Sequence, residues 1–163
     1  MNAEIEALVP ALADALRRAR LKMVTAESCT GGLIAAACTT IAGSSDWFER
    51  GFVTYSNEAK TEMLGVAPAL IIAHGAVSEP VARAMAEGAI ARSHAQLGVA
   101  VTGIAGPGGG SPGKPVGTVW LAWSRAGGAT RTELLQLHGD RHAIRTQTVQ
   151  HALRRLLDNA SAG

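Results

Sequence analysis

Thr25-Ala26-Glu27-Ser28-Cys29-Thr30-Gly31-Gly32 joins a short apolar run, Leu21 to Thr25, to a helix of small residues expected from Thr30 to about Thr40. A strand that turns directly into a helix points several backbone N–H groups, and the positive end of the helix dipole, at one place. Ser28 and Cys29 would stand beside that place, each a candidate nucleophile next to an oxyanion or phosphate site. A second glycine-rich turn, Thr102-Gly103-Ile104-Ala105-Gly106-Pro107-Gly108-Gly109-Gly110, follows another apolar run, Leu97 to Val101. Two such turns argue for a ligand site built at strand ends rather than for two ordinary loops.

The rest of the chain supplies the frame for these turns. Ala3 to Arg20 reads as an amphipathic helix with Ile5, Leu8, Val9, Leu12 and Leu16 on one face. Trp47 to Thr54 has a strand's aromatic and β-branched content and ends at Tyr55. Asn57 caps a short helix that Gly65 closes, Pro68 begins another that stops at Gly75, and Ser78-Glu79-Pro80 starts a third that runs to about Ala95. The unbroken apolar run Leu97 to Val101 marks a strand buried on both faces. Gly117 to Ser124 and Ala129 to Leu137 form a hairpin across Gly127-Gly128, and Asp140 caps a last helix with Ile144, Leu153, Leu156 and Leu157 facing inward. This order predicts one three-layer α/β/α domain, residues 1–163, on a mixed sheet. Ligands of such folds gather at the carboxyl ends of the strands, where Ser28 and Thr102 both fall.

Composition narrows the class. At 163 residues and 47% hydrophobic, the chain can bury a substantial core of Ala, Val, Leu and Ile. A formal net charge of +2, with dispersed arginines, is too weak for a nucleic-acid footprint. No apolar run approaches the roughly 20 residues that span a bilayer, and the acidic, amphipathic N-terminus is unlike a signal peptide. Two cysteines, Cys29 and Cys38, suggest neither a disulfide framework nor a zinc site. The expectation is a reduced, cytoplasmic protein with no membrane or nucleic-acid partner.

Gly108 to Pro115 matches most of a phosphate-binding P-loop, but Pro115 stands where a magnesium-holding Ser or Thr belongs, and a strand rather than a helix follows. It reads instead as a flexible or ligand-hugging loop. The five histidines are scattered near helix ends or on helix faces, so no Ser-His-Asp triad can be assembled. A serine nucleophile then needs another base. Tyr55 and Lys60 would be about 140° apart on one continuous helix, but across a strand-to-helix corner they can converge. A desolvated lysine loses its proton near neutrality, and a neighbouring tyrosine can relay that proton or donate to an oxyanion. The alternative is a solvated lysine and a half-buried tyrosine. Glu27 either orients a neighbour or satisfies backbone amides. Arg141 and Arg145, four apart at the start of the last helix, either clamp a phosphate or carboxylate or are simply solvated.

These segments together resemble the CinA C-terminal-domain family, the nicotinamide-nucleotide amidases. The resemblance is carried by Thr25 to Gly32, Gly51-Phe-Val-Thr-Tyr-Ser-Asn-Glu-Ala-Lys60, Gly75-Ala-Val-Ser-Glu79, Val101-Thr-Gly-Ile-Ala-Gly-Pro-Gly-Gly109 with its neighbouring glycines, and Gly139-Asp-Arg-x-x-Ile-Arg145. They occur in family order from about residue 5 to 158, with no departure inside the blocks, and look like the stand-alone form. The resemblance implies hydrolysis of the carboxamide of nicotinamide mononucleotide to nicotinic acid mononucleotide and ammonia, a step of pyridine nucleotide salvage. It implies a serine, a lysine and a tyrosine, without metal or cofactor, and these roles fall on Ser28, Lys60 and Tyr55. N–H groups of Cys29, Thr30 and Gly31 are then candidates for the oxyanion hole, with Glu27 beside them. The phosphate is assigned to the Thr102-Gly103 turn with Arg141 or Arg145. Two other readings stay open. Cys29 is the nucleophile in one, and in the other the chain is a silent pyridine-nucleotide-binding or partner-binding module. An Ala-rich helix face and an unpaired sheet edge suit a homodimer or higher homo-oligomer.

Overall fold

A computed structural model describes residues 1–162; Gly163, the last residue of the expected domain, lies outside the described residues. The chain runs α1 (Ala3–Ala19), β1 (Met23–Glu27), α2 (Leu33–Cys38), β2 (Phe48–Val53), α3 (Asn57–Leu64), α4 (Pro68–His74), α5 (Glu79–Ala91), β3 (Leu97–Gly103), β4 (Thr118–Arg125), β5 (Thr130–Gln136) and α6 (Arg141–Ser161). The sheet order is β2-β1-β3-β4-β5. β1 is parallel to both β2 and β3, whereas β4 is antiparallel to both of its neighbours, β3 and β5, so the expected mixed sheet is present.

Helices cover both faces. One apolar layer joins α1 and α6 to the sheet through Leu12, Leu16, Met23, Val99, Leu153 and Leu156, all essentially inaccessible. The other packs α5, with the ends of α3 and α4, on Val24, Ala100 and Ala122. Each large aliphatic side chain buried this way contributes about 1.5–3 kcal/mol. Two helices approach closely at Gly88, the one glycine inside α5: a Cβ there would collide with the carbonyl of Leu64 at the end of α3.

Element edges moved where a local hydrogen bond competed with the apolar pattern. Leu21 does not open β1; its N–H donates to the Leu16 carbonyl and closes α1, while Lys22 N–H is taken by Gln96 Oε1. β1 therefore begins two residues late and extends to Glu27. α2 begins at Leu33 rather than Thr30, because Gly31 and Gly32 take positive φ (59° and 106°) and form a turn instead. Ser56, not Asn57, caps α3, accepting from Ala59 N–H. Ser78 holds the N-cap position of α5, but its hydroxyl donates to the Gly75 carbonyl. That helix stops at Ala91, short of the expected Ala95. The capping of α6 by Asp140 is as expected.

β1 leaves the sheet toward α2 on one face, and β2 leaves toward α3, α4 and α5 on the other. Adjacent strands that part to opposite faces open a crevice at their carboxyl ends. Ser28, immediately after β1, lies at that crevice.

Candidate functional site

The crevice is closed from below by backbone bonds that continue past the strands. Ser28 N–H donates to Val101 O (3.1 Å), and Thr54 N–H to Glu27 O (2.8 Å). Ser28 is thereby locked between the ends of β2 and β3. Across the corner after β2, the chain enters α3, whose cap by Ser56 fixes the direction of its first turn. Lys60, in that turn, runs its stem inward and is only 1% exposed.

Lys60 Nζ donates to Ser28 Oγ (3.0 Å), to Thr54 O (3.0 Å) and to Tyr55 O (3.3 Å). Three acceptors match the three N–H bonds of an ammonium. In a neutral amine the two carbonyls can keep the two remaining N–H groups, which leaves the lone pair facing the Ser28 hydroxyl. Burial holds the Lys60 pKa below the ordinary lysine value, because the charged form has lost water. The nearby carboxylate, Glu27, is turned away to other partners and gives Lys60 no hydrogen bond.

Tyr55 makes no hydrogen bond to Lys60 through its phenol. It is 62% exposed; its carbonyl accepts from Lys60, while its phenol oxygen accepts from Arg141 Nη2 (3.2 Å) at the mouth of the cleft. The strand's end directs its main chain inward and its side chain outward.

Of the two readings of Glu27, the satisfaction of backbone amides is the one its contacts show. Fully buried, it accepts from Thr30 Oγ1 (2.6 Å), Ile34 N–H (2.9 Å) and Ala35 N–H (3.0 Å). Its carboxylate thus occupies the positive end of α2, which is therefore closed to a ligand. Thr30, fully buried, has its hydroxyl consumed by the same bond. Gly31 N–H is used by Ser28 O (3.0 Å), which removes it from the oxyanion candidates. Cys29 remains on the cleft wall, its N–H unclaimed by the backbone bonds of the turn. Burial pushes its thiol up to about 12, so it stays protonated at neutral pH and makes a poor nucleophile. Arg145 lies behind this turn, donating to Cys29 O (3.2 Å) and Thr30 O (3.1 Å), and is not on the cleft.

The cleft has a volume of about 270 Å³. Its far wall is Thr102 to Gly106 with Gly108 and Gly109, and Arg141 stands at the rim. Thr102 lies inside β3, not in a turn, and its hydroxyl donates to Ala76 O (2.9 Å). Gly103 is needed for packing, since a Cβ would lie 2.6 Å from Val119 Cγ2. Arg141 Nη1 donates to Gly106 O (2.9 Å), leaving it beside the glycine-rich segment. Lys114 of the P-loop-like run points elsewhere, to His74 O (2.8 Å). A larger hollow, about 650 Å³, lies between Asn2, Ile5 and the first turns of α6, away from Ser28 and Lys60.

Four site components were missed in the sequence, one of them Asn57, which was read only as a helix cap and lines the cleft. The Thr54 carbonyl carries no side-chain signature, since every residue has one. Ala76 and Val77, from the link between α4 and α5, also line the cleft. Their sequence signal is membership of the Gly75 to Glu79 block, since neither residue type carries chemistry of its own.

An α/β sheet with a buried serine–lysine pair at its strand ends is the class that fold and site define. A model of the CinA C-terminal domain matches residues 5–160, and the chain belongs to that family. It is 55% identical to a Pseudomonas putida protein named nicotinamide-nucleotide amidohydrolase PncC, with 94% of this chain and 95% of that protein covered. It is also 60% identical to a CinA-like protein of Akkermansia muciniphila across 85% of this chain, but spans only 33% of that longer relative. The crystal structure of competence/damage inducible protein CihA from Agrobacterium tumefaciens matches with a TM-score of 0.95 at 48% identity, covering 97% of this chain and 96% of that one. Among the described residues, no helix is long and apolar enough to cross a membrane.

Proposed function

We propose that this chain hydrolyses the carboxamide of nicotinamide mononucleotide, releasing ammonia and nicotinic acid mononucleotide. The observation that carries the reading is the 3.0 Å contact between Lys60 Nζ and Ser28 Oγ inside a cleft. The amidohydrolase name of a relative matched over nearly the full length of both chains supports the substrate.

Neutral Lys60 accepts the Ser28 proton as Oγ attacks the amide carbon. The carbonyl oxygen gains the negative charge, and we assign it to Cys29 N–H, which the turn leaves unclaimed and whose residue lines the cleft. Lys60 then returns the proton to the departing nitrogen, giving ammonia and an acyl ester on Ser28. Water attacks the ester with Lys60 again as base, and the serine is restored. Arg141, free to exchange its Tyr55 contact, takes the phosphate at the rim, with the Thr102–Gly103 strand end forming the wall of the cleft.

The whole chain acts as a single amidase domain in the cytoplasm, where a phosphorylated nucleotide is retained. It works as a homodimer or higher homo-oligomer; β2 and β5 are open sheet edges that support association. Ammonia release from nicotinamide mononucleotide, measured beside Ser28→Ala, tests the activity. Turnover by the parent alone supports the reading, whereas bound nucleotide with no turnover by either protein replaces it with a silent binding module.

A further inference from the structure

We infer that Arg145 is a positioning residue that sets the oxyanion hole from behind, rather than a ligand for the substrate phosphate. The inference rests on the amidase reading of Ser28. Arg145 donates from Nε to Cys29 O and from Nη2 to Thr30 O, holding two successive peptide carbonyls on one side of the turn. In a planar trans peptide the N–H points opposite to its C=O. Pinning Thr30 O therefore turns Gly31 N–H away from Arg145, and that N–H meets Ser28 O at 3.0 Å. Holding Ser28 O toward Gly31 in turn faces Cys29 N–H the other way, and Cys29 lines the cleft beside Ser28. Two peptide planes thus transmit the grip of one guanidinium to the donor next to the nucleophile.

Arg145 borders the larger hollow at the start of α6 rather than the cleft that holds Ser28 and Lys60. Its two hydrogen bonds are 115 and 116 residues away in sequence, which ties α6 to the nucleophile turn. A Cβ built on Gly31 would lie 3.6 Å from Nη2, so the guanidinium sits in van der Waals reach of the turn. The neighbouring Arg141 has a different environment, with Gly106 O and the Tyr55 phenol as partners on the cleft. Four residues along one helix therefore separate a cleft-facing arginine from one that braces the turn. A lysine cannot replace Arg145 fully, because a single ammonium lacks the planar fork that spans two carbonyls.

The test compares Arg145→Ala and Arg145→Lys with the parent protein, using nicotinamide mononucleotide turnover and millimolar guanidinium chloride as rescue agent. We expect kcat of Arg145→Ala to fall about ten- to a hundredfold with KM within about twofold, since an oxyanion donor acts in the transition state. Guanidinium should restore part of that loss, and Arg145→Lys should fall between the two. A rise in KM at unchanged kcat would overturn the inference and make Arg145 a substrate ligand. So would a kcat loss without guanidinium rescue in a variant of unchanged melting temperature. A second readout does not need the amide substrate: labelling of Ser28 by an alkyl fluorophosphonate. There the Ser28 Oγ–P bond forms, fluoride leaves and Lys60 takes the proton, while the phosphoryl oxygen occupies the oxyanion position. Slowed labelling in both variants supports the positioning role, and labelling at the parent's rate refutes it. A parent that labels at Ser28 but releases no ammonia would refute the amidase reading alone.

Discussion

Lys60 Nζ lies 3.0 Å from Ser28 Oγ across 32 residues of sequence, and two backbone carbonyls hold it there. The pair needs β1 and β2 side by side and α3 folded back at the corner, so it belongs to the tertiary structure. Replacing either member breaks the proton transfer. Ser28→Ala and Lys60→Met should each lower kcat by about three orders of magnitude or more. Cys29→Ala should keep most of the activity, because its thiol is buried and protonated. Steady-state ammonia release decides all three, and an inactive Cys29→Ala beside an active Ser28→Ala would reverse the assignment of the nucleophile.

The same lysine makes activity depend on pH in one direction. Lys60 acts as a base only when neutral, and burial has lowered its pKa. The profile of kcat/KM should rise with pH along a limb whose midpoint lies below the ordinary lysine value of about 10.4. A midpoint at or above that value would mean the ammonium is not destabilised.

Stability should depend on pH through the same lysine. Because the folded pKa of Lys60 is lowered, the unfolded chain binds more protons between that pKa and about 10.4, and folding gains stability as pH rises through this window. Below the window Lys60 is a standing cost. Lys60→Met removes this titration but strands the Thr54 and Tyr55 carbonyls, so the linkage shows in the trend: the parent should gain stability relative to Lys60→Met as pH rises toward ~10.4. Thermal melts at several pH values would show it; a difference between the two proteins that does not change with pH would contradict the argument.

Arg141 and Arg145 should separate kinetically. Arg141→Met removes a rim guanidinium, so KM for the mononucleotide should rise about ten- to a hundredfold with a smaller change in kcat. The effect should vanish with the dephosphorylated nucleoside. An equal loss on both substrates would remove the phosphate from the account.

Glu27 carries a structural load. Glu27→Ala leaves the Thr30 hydroxyl and the Ile34 and Ala35 N–H groups without their acceptor. At about 1–3 kcal/mol for each stranded group, the loss should be at least about 3 kcal/mol by urea denaturation. A loss under about 1 kcal/mol would show that α2 re-caps itself.

The residues legible in the chain were those whose chemistry is local. Alternation and apolar runs located β3, β4 and β5, and the Asp140 cap located α6. Leu21 misled because an apolar residue after a helix can close that helix as readily as open a strand. Glu27, Tyr55 and Arg145 were all singled out; of the two readings of Glu27 the fold shows the one that satisfies backbone amides, whereas Tyr55 and Arg145 make contacts that were not expected of them. Direction was the missing quantity: Glu27 points into α2, Tyr55 sends its phenol out to Arg141, and Arg145 reaches the back of the turn.

By itself the sequence determined a layered α/β chain with a serine at a strand end, a lysine after the next strand and two glycine-rich segments. Those features depend on residue type and short-range spacing. Only the tertiary structure decided that Lys60 reaches Ser28, that Glu27 occupies the α2 dipole, and that Arg145 braces the turn while Arg141 faces the cleft. Hydrogen bonds and desolvation act over about 3 Å and through burial, and neither quantity exists until distant segments are packed together.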